Sequence, residues 1–419
     1  MVIECYSALA QDTIYINPSY EKQHQTGSKE FPFHSWDNIK QEYGYTYLQL
    51  RGTVDTVDHI FLNTSDITLG AYGEGSKPVI YFNTQHQAHG IMGWQRENIS
   101  IQNLELIAPQ GKSCIYFNEG NLNWIVDSCI IHESEWGIRI TSGNNSYHRI
   151  LRTEIYNIIQ DGIFVQDAHN IEIAFCFIHN VNAKWIPPHT SEKIAAGDGV
   201  QFSRCNQWHV HHNIIDRSNS GNKFCFISNN PLQNEGVLEY NTFYAPQKYG
   251  NCIFFGSGTN LIVRYNYFYG NKEVTALYNH SMNLEIYYNI FISFDLAVHS
   301  LHDSVCSVIN NTFYLNKSGL SGYNILSKNN IFHNTNLMEL PYIKVRKLKE
   351  SHNHFTVGGR GNESTRGEPH FVDAENQNFK LLNISPCVNS GAIHNIPSDL
   401  SGMTVPNENQ TDKGAFEHY

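Results

Sequence analysis

One repeat constrains this chain more than any other feature. The motif apolar-x-x-Asn-x-aromatic or aliphatic recurs as VHHNII, LEYNTF, VRYNYF, IYYNIF and VINNTF, with a looser copy in SKNNIF. Its asparagines are Asn213, Asn241, Asn266, Asn289, Asn311 and Asn330, separated by 28, 25, 23, 22 and 19 residues. A unit this short cannot bury its own apolar face and must stack on copies of itself, so the period predicts a solenoid. The intervals suit one coil of three short strands better than a helical repeat. Asparagines stacked at one turn can bond to each other and to the main chain of neighbouring coils, satisfying amides that a buried bend would orphan. They are read as architecture. Upstream, the equivalent place is expected at Leu104, Ser128, Thr153 and Cys176.

A further strand precedes these motifs in GIRITS, DGIFVQ, DGVQFS, NKFCFI, NCIFFG and TALYNH. Alternation assigns its faces. Ile138, Ile163, Val200, Phe224, Ile253 and Leu277 are expected to form one inward column, and Ile140, Val165, Phe202, Phe226 and Phe255 the next. One outward column reads Cys114, Gly137, Gly162, Gly199, Lys223, Cys252 and Ala276, leaving a single lysine among small residues. Adjacent outward columns supply Arg139, Phe164, Gln201 and Tyr278, then Gln166, Ser203 and His280. Five or six coils of such a strip span roughly 25 Å, the scale of an extended polymer.

Composition supports strands and tight turns, with 24 Tyr, 23 Phe and 30 Gly against 16% charged residues. A net charge of -11 argues against nucleic acid as a partner, while a local basic cleft can still take an acidic polymer. No apolar run reaches the roughly 20 residues needed to span a bilayer, so no membrane partner is expected. The nine cysteines lack CxxC spacing and mostly sit in apolar strand patterns, as buried free thiols do. Residues 1–11 end in small residues resembling the end of a trimmed signal peptide, which suggests a secreted or periplasmic protein; an ordinary N-terminus reads equally well. Oligomeric state is left open.

The whole chain, 1–419, reads as one domain. Residues 12–50 form an N-terminal cap region, 51–335 the regular coils with an inserted loop at 181–197, and 336–419 the C-terminal coils and an irregular cap. In the first part, 33–42 is expected to be a short amphipathic helix, N-capped by Ser35, with Trp36, Ile39 and Tyr43 on one face to plug the first coil. The GI-x-aliphatic strands, the NxF ladder, the segment 71–80 and the SP…D…G…GAFE ending together resemble the pectate-lyase-like right-handed parallel β-helix superfamily. The likeness covers nearly the whole chain. It implies an all-β, single-stranded, right-handed parallel β-helix with a short N-terminal capping helix and an irregular C-terminal cap. That superfamily holds polysaccharide lyases, hydrolases, uronan epimerases and non-catalytic adhesins or tailspikes.

Ladder spacing jumps to 37 residues between Cys176 and Asn213, which places about a dozen extra residues in 181–197. A loop there would overhang the first sheet, and Lys184, Trp185 and His189 would reach a sugar. Asp216 and Arg217 end a strand just before the turn to Lys223. Asp161 and Asp198 each precede a glycine on successive coils, so their carboxylates are expected about 5 Å apart. They could bind calcium, act as a hydrolase pair or bond to turn amides. His209 and His211 face outward on another strand and read as a stacked pair ahead of a zinc site. The stretch 344–349 reads as an edge strand or lateral loop.

The leading expectation is β-elimination on an acidic, uronic-acid-containing polysaccharide such as alginate or pectate. Arg217, or a calcium ion near Asp161 and Asp198, would neutralise the uronate; Lys223 would be the base, with Asp198 and Asp216 in the catalytic set. Gln201, Arg204, Gln166, Arg139, Trp185, His189, Tyr278 and His280 would hold the substrate. The alternatives are a glycoside hydrolase using Asp161, Asp198 or Asp216, a uronan C5-epimerase, and a non-catalytic glycan-binding solenoid. No organic cofactor is implied.

Overall fold

The computed structural model describes residues 12–84, 88–141, 143, 145–182, 197–220, 223–229, 234–248, 250–335, 346–358, 361–408 and 410–418. Three parallel sheets run the length of the molecule. The first has eleven strands, from Ile60–Leu62 to Ser318–Gly322; the second begins at Thr13–Ile16 and ends at Lys349–Ser351; the third runs from Val54–Val57 to Thr365–Arg366. Each coil visits the sheets in that order, as in Val200–Ser203, Asn206–His211 and Ile214–Asp216. Parallel crossovers of this kind are right-handed. The three inner faces meet in one continuous core, and every described cysteine is buried as a free thiol. Cys5 lies outside the described residues.

The corner between second and third sheets is built from two residues. The first takes a left-handed backbone, as at His212 (φ 55), Tyr240 (φ 54) and Tyr265 (φ 57), and the second is the ladder residue. Asn266 illustrates the bonding. Its backbone N–H donates to Asn289 Oδ1 at 2.9 Å, while its side-chain amide donates to Leu238 O (2.9 Å), Arg264 O (2.8 Å) and Asn289 Oδ1 (2.9 Å). The same amide-to-Oδ1 bond joins Asn213, Asn241, Asn289, Asn311 and Asn330 to the next coil, and the ladder gains a seventh member in Asn353. Upstream, Cys129 holds the ladder place expected for Ser128, donating its N–H to Thr153 Oγ1 (3.3 Å); Ser128 is the left-handed residue before it. Coil lengths that vary by one residue hide which of two corner positions is which.

Register corrects another expectation. Phe226, not Phe224, stacks between Val200 and Ile253, and Ser228 pairs with Phe202 and Phe255. Cys225 therefore takes the place assigned to Lys223. A slip of two residues keeps the same side chains inward, so the alternating pattern of 222–227 cannot detect it. The column Gly137, Gly162, Gly199, Cys225, Cys252 is also buried rather than outward. A Cβ on Gly162 would lie 2.7 Å from Gly199 O and 2.9 Å from Ile178 Cγ2, and only a very small residue fits.

The expected helix at 33–42 is reduced to one 3-10 turn, Trp36–Asn38. Ser35 does cap it, accepting from Asp37 N, but Tyr43 is 70% exposed. Trp36 is drawn onto the first coils, its N–H bonded to Asp55 (2.8 Å) and its indole N–H to Gln49 Oε1 (2.7 Å). Those long-range bonds replace the ones a helix would have made. Coils begin before the expected residue 51, since Thr13–Ile16 and Thr46–Leu50 already belong to the second sheet, while His354–Phe355 of the third sheet falls within the expected C-terminal coils. After the hairpin Phe371–Asp373 and Asn378–Leu381, the C-terminal segment runs back along the flank of the solenoid. There Leu400, Val405 and Phe416 pack on Tyr265, Tyr287 and Tyr288. Asn310 and Asn329 donate to the carbonyls of Asp412 and Ala392, both at 2.8 Å.

Replacing Asn289 by Ala orphans the Asn266 N–H and removes a donor from the carbonyls of Val263 and Tyr287. At about 1–3 kcal/mol per orphaned buried group, Asn289→Ala should lower stability by about 3 kcal/mol or more. Equilibrium urea unfolding measures it.

Candidate functional site

Outward side chains of the first sheet form a strip whose register runs Met92, Tyr116, Arg139, Phe164, Gln201, Ile227, Phe254, Tyr278, His299. Arg139, Gln201 and Tyr278 therefore share one column, as the alternation predicts, and Gln166 pairs with Ser203 in the next. His280 follows Asn279 at the far end of the strip and lies against Tyr278 (ring centroids 5.2 Å). Phe224, Phe254 and Tyr278 stack on one another along the axis at 5.2 and 5.6 Å, so they present ring edges to solvent.

Arg139 differs from three other arginines of the regular coils. Arg152, Arg204 and Arg264 each pair with a carboxylate, Asp127, Asp167 and Glu239 respectively. Among the described residues none pairs with Arg139. Its guanidinium lies against two aromatic rings, 5.3 Å from the Tyr116 centroid and 5.1 Å from that of Trp136, and its Nε is buried with no hydrogen-bond acceptor. Lys112 reaches the same Trp136 ring at 5.7 Å. His89 stacks on Tyr116 at 4.1 Å and bonds through Nδ1 to Ser113 Oγ at 2.6 Å. The Tyr116 hydroxyl lies 2.8 Å from Thr141 Oγ1 and donates to Asn118 Oδ1 at 3.1 Å. Burial first, then the charges of Arg139 and Lys112, push the His89 imidazole down to about 4.

The sequence reading included Arg139 but missed His89, Lys112, Ser113, Tyr116 and Trp136. The signal was available. Continuing the outward columns one coil toward the N-terminus leads from Arg139 to Tyr116.

Asp161 and Asp198 stand at the corner between third and first sheets, nearly fully buried. Asp161 Oδ1 accepts the Asp198 N–H at 2.7 Å, and Asp198 Oδ1 accepts the Phe224 N–H at 2.9 Å. They form a short carboxylate ladder serving turn amides. The Trp136 side chain also donates to Asp161. Burial raises both carboxyls, and the Asp198 charge adds to the rise at Asp161.

Arg217 was expected to border an open trough with Lys223. Instead its guanidinium is fully buried beneath this corner, donating to the carbonyls of Val181 (2.5 Å) and Gly197 (2.6 Å). It thereby joins the two ends of the inserted segment. Lys223 is a half-buried corner residue with φ 82, near enough to Asp198 for their charges to interact. The two cations share no open trough. Asp216 lies on the third sheet between His179 and Tyr244 and accepts the Ser218 N–H, which removes it from the first-sheet face. Arg204 is held by Asp167 through two bonds of 2.5 and 2.6 Å. Lys184, Trp185 and His189 lie outside the described residues.

The corner does not fit calcium, which takes six to eight oxygen ligands. Each carboxylate there already accepts a main-chain N–H, and the Arg217 charge acts on both. His209 and His211 are a ring pair 4.1 Å apart, bonded to Glu239 and Glu172, and no group of three or more metal-ligating side chains occurs among the described residues.

A carboxyl that binds protons more tightly when folded makes the native state most stable below about pH 4, where the unfolded carboxyl is also protonated. Stability then declines as pH rises through the folded pKa. Asp161→Asn keeps an acceptor for the Asp198 N–H but cannot ionise. Urea unfolding between pH 4 and 8 should show a shallower decline in this variant than in the unmodified protein, by at least about 1.4 kcal/mol, which corresponds to a tenfold difference in proton affinity between the folded and unfolded carboxyl.

Comparison with known proteins gives three results. A family model described as "Right handed beta helix region" matches residues 89–291. No curated protein matches by sequence. Among solved structures, the complex of XylC with xylose aligns with a TM-score of 0.57 at 10% identity, covering 97% of this chain and 99% of that one. The PL6 family alginate lyase AlyGC aligns at 0.56 and 13%, covering 84% and 53%. The Dettilon tailspike protein gp208 aligns at 0.53 and 11%, covering 86% and 69%. At these identities the likeness is one of fold.

Proposed function

We propose that this chain, which has the right-handed parallel β-helix fold, is a carbohydrate-active enzyme cleaving an acidic polysaccharide by β-elimination. One observation carries the proposal. Arg139 is a half-buried cation on the open face of the first sheet, held by π contacts and, among the described residues, lacking a carboxylate of its own. A guanidinium with an unmatched buried donor is a site for an anion, and the strip around it has the length of several sugars. Lys112, 5.7 Å from the centroid of the same indole, adds a second positive charge. Together they would neutralise a uronate carboxylate and acidify the proton at C5. Gln201, Gln166 and His280 line the continuation of the strip and would meet hydroxyl groups. A PL6 alginate lyase and a protein solved with xylose share this fold, which is support by analogy.

Hydrolysis is the second reading, favoured by the raised carboxyls of Asp161 and Asp198. Their engagement with turn amides weighs against it. A panel of uronans, followed by absorbance of the unsaturated uronate product and by reducing ends, separates the two. Elimination gives both signals and hydrolysis only the second. On the best substrate, Arg139→Ala should raise KM by about 10- to 100-fold, the worth of a charge-assisted hydrogen bond, with little change in melting temperature. A wild-type KM would remove Arg139 from the site.

A further inference from the structure

We propose that His89 is the base that removes the C5 proton, an inference that rests on the elimination proposed above. Three features converge on this ring. It sits one coil from the Tyr116 strand, on the edge where Arg139 and Lys112 meet Trp136, so a carboxylate bound by those cations brings its neighbouring C5–H toward the imidazole. Its orientation is fixed twice, by stacking on Tyr116 at 4.1 Å and by the 2.6 Å bond between Nδ1 and Ser113 Oγ. When Nδ1–H donates in that bond, Nε2 keeps its lone pair.

Charge makes the base conditional on substrate. Burial and the two cations facing it, Arg139 and Lys112, keep the free imidazole neutral above about pH 4. A bound uronate cancels part of that positive field and raises the proton affinity of the ring when a proton is to be taken. In the reaction Nε2 accepts the C5 proton, the C–H electron pair becomes the C4–C5 double bond, and the C4–O bond breaks. The departing glycosidic oxygen takes a proton from water, and His89 returns its own proton to the hydroxide so formed.

Lys223 is the competing base, and it stands three strand spacings away along the axis from Trp136, roughly 15 Å. The test compares His89→Ala and His89→Gln with Lys223→Ala on the best uronan. The expected result is a 10²- to 10⁴-fold fall in kcat for both His89 variants, with KM within about threefold of wild type. Added imidazole should restore part of kcat in His89→Ala, and the acid limb of wild-type kcat/KM near pH 4 should be missing from the residual activity. A purely structural histidine would give neither effect. Full kcat in a His89 variant, failure of imidazole to restore any turnover, or loss of turnover in Lys223→Ala alone would overturn the assignment. If the wild type releases no unsaturated product from any uronan, the elimination itself fails, a result distinct from wild-type activity that survives loss of His89.

Discussion

Every coil of this molecule must turn three corners inside a packed wall, and the amides at those corners must find partners. Side-chain carbonyl and carboxylate oxygens solve the problem at two of them. Asparagine does so between second and third sheets for seven successive coils, and aspartate does so for two coils between third and first. In both places an oxygen from one coil accepts the N–H of the next, so the bond that satisfies a bend also fixes the coil spacing. Small-residue columns beside the corner then let neighbouring coils approach to van der Waals contact.

The two ladders differ in electrical consequence. An amide is neutral and can be repeated without limit, whereas stacked carboxyls repel and need a counter-charge. Arg217 supplies it from within, and in doing so gathers the carbonyls at both ends of the 181–197 segment. The cation expected to face substrate is thus part of the wall. Arg139 is the opposite case: its neighbours are aromatic, and its charge is left to act outward.

The repeat made the solenoid legible because the asparagine period is a direct imprint of the coil. Inward columns were legible wherever the connecting segment kept its length, as at Ile138, Ile163 and Val200. They failed at Phe224 and Phe226, where a shift by two residues preserves the alternating pattern and only the length of the 217–224 turn decides. The shared column of Arg139, Gln201 and Tyr278 was legible because it follows from strand parity alone. Arg217 was not, since its burial depends on how a neighbouring coil closes over it. The helix at 33–42 had a sound local signal in its Ser35 cap, yet the Trp36 bonds to Gln49 and Asp55 outweighed a few residues of propensity.

Ala392, Ser398 and Asp412 lie on a segment that returns along the flank, and they bond to coils that precede them by 63 to 133 positions, at Asn329, Tyr265 and Asn310. A stack of nearest-neighbour units ordinarily frays from its last member inward. Here the coils from Tyr265 to Asn329 are clasped from the side by this returning segment, so opening them requires that clasp to release first. During synthesis the order is reversed: the clasped coils can assemble first but remain unlatched until the segment carrying Ala392, Ser398 and Asp412 has emerged and docked, which makes that docking the event that secures them.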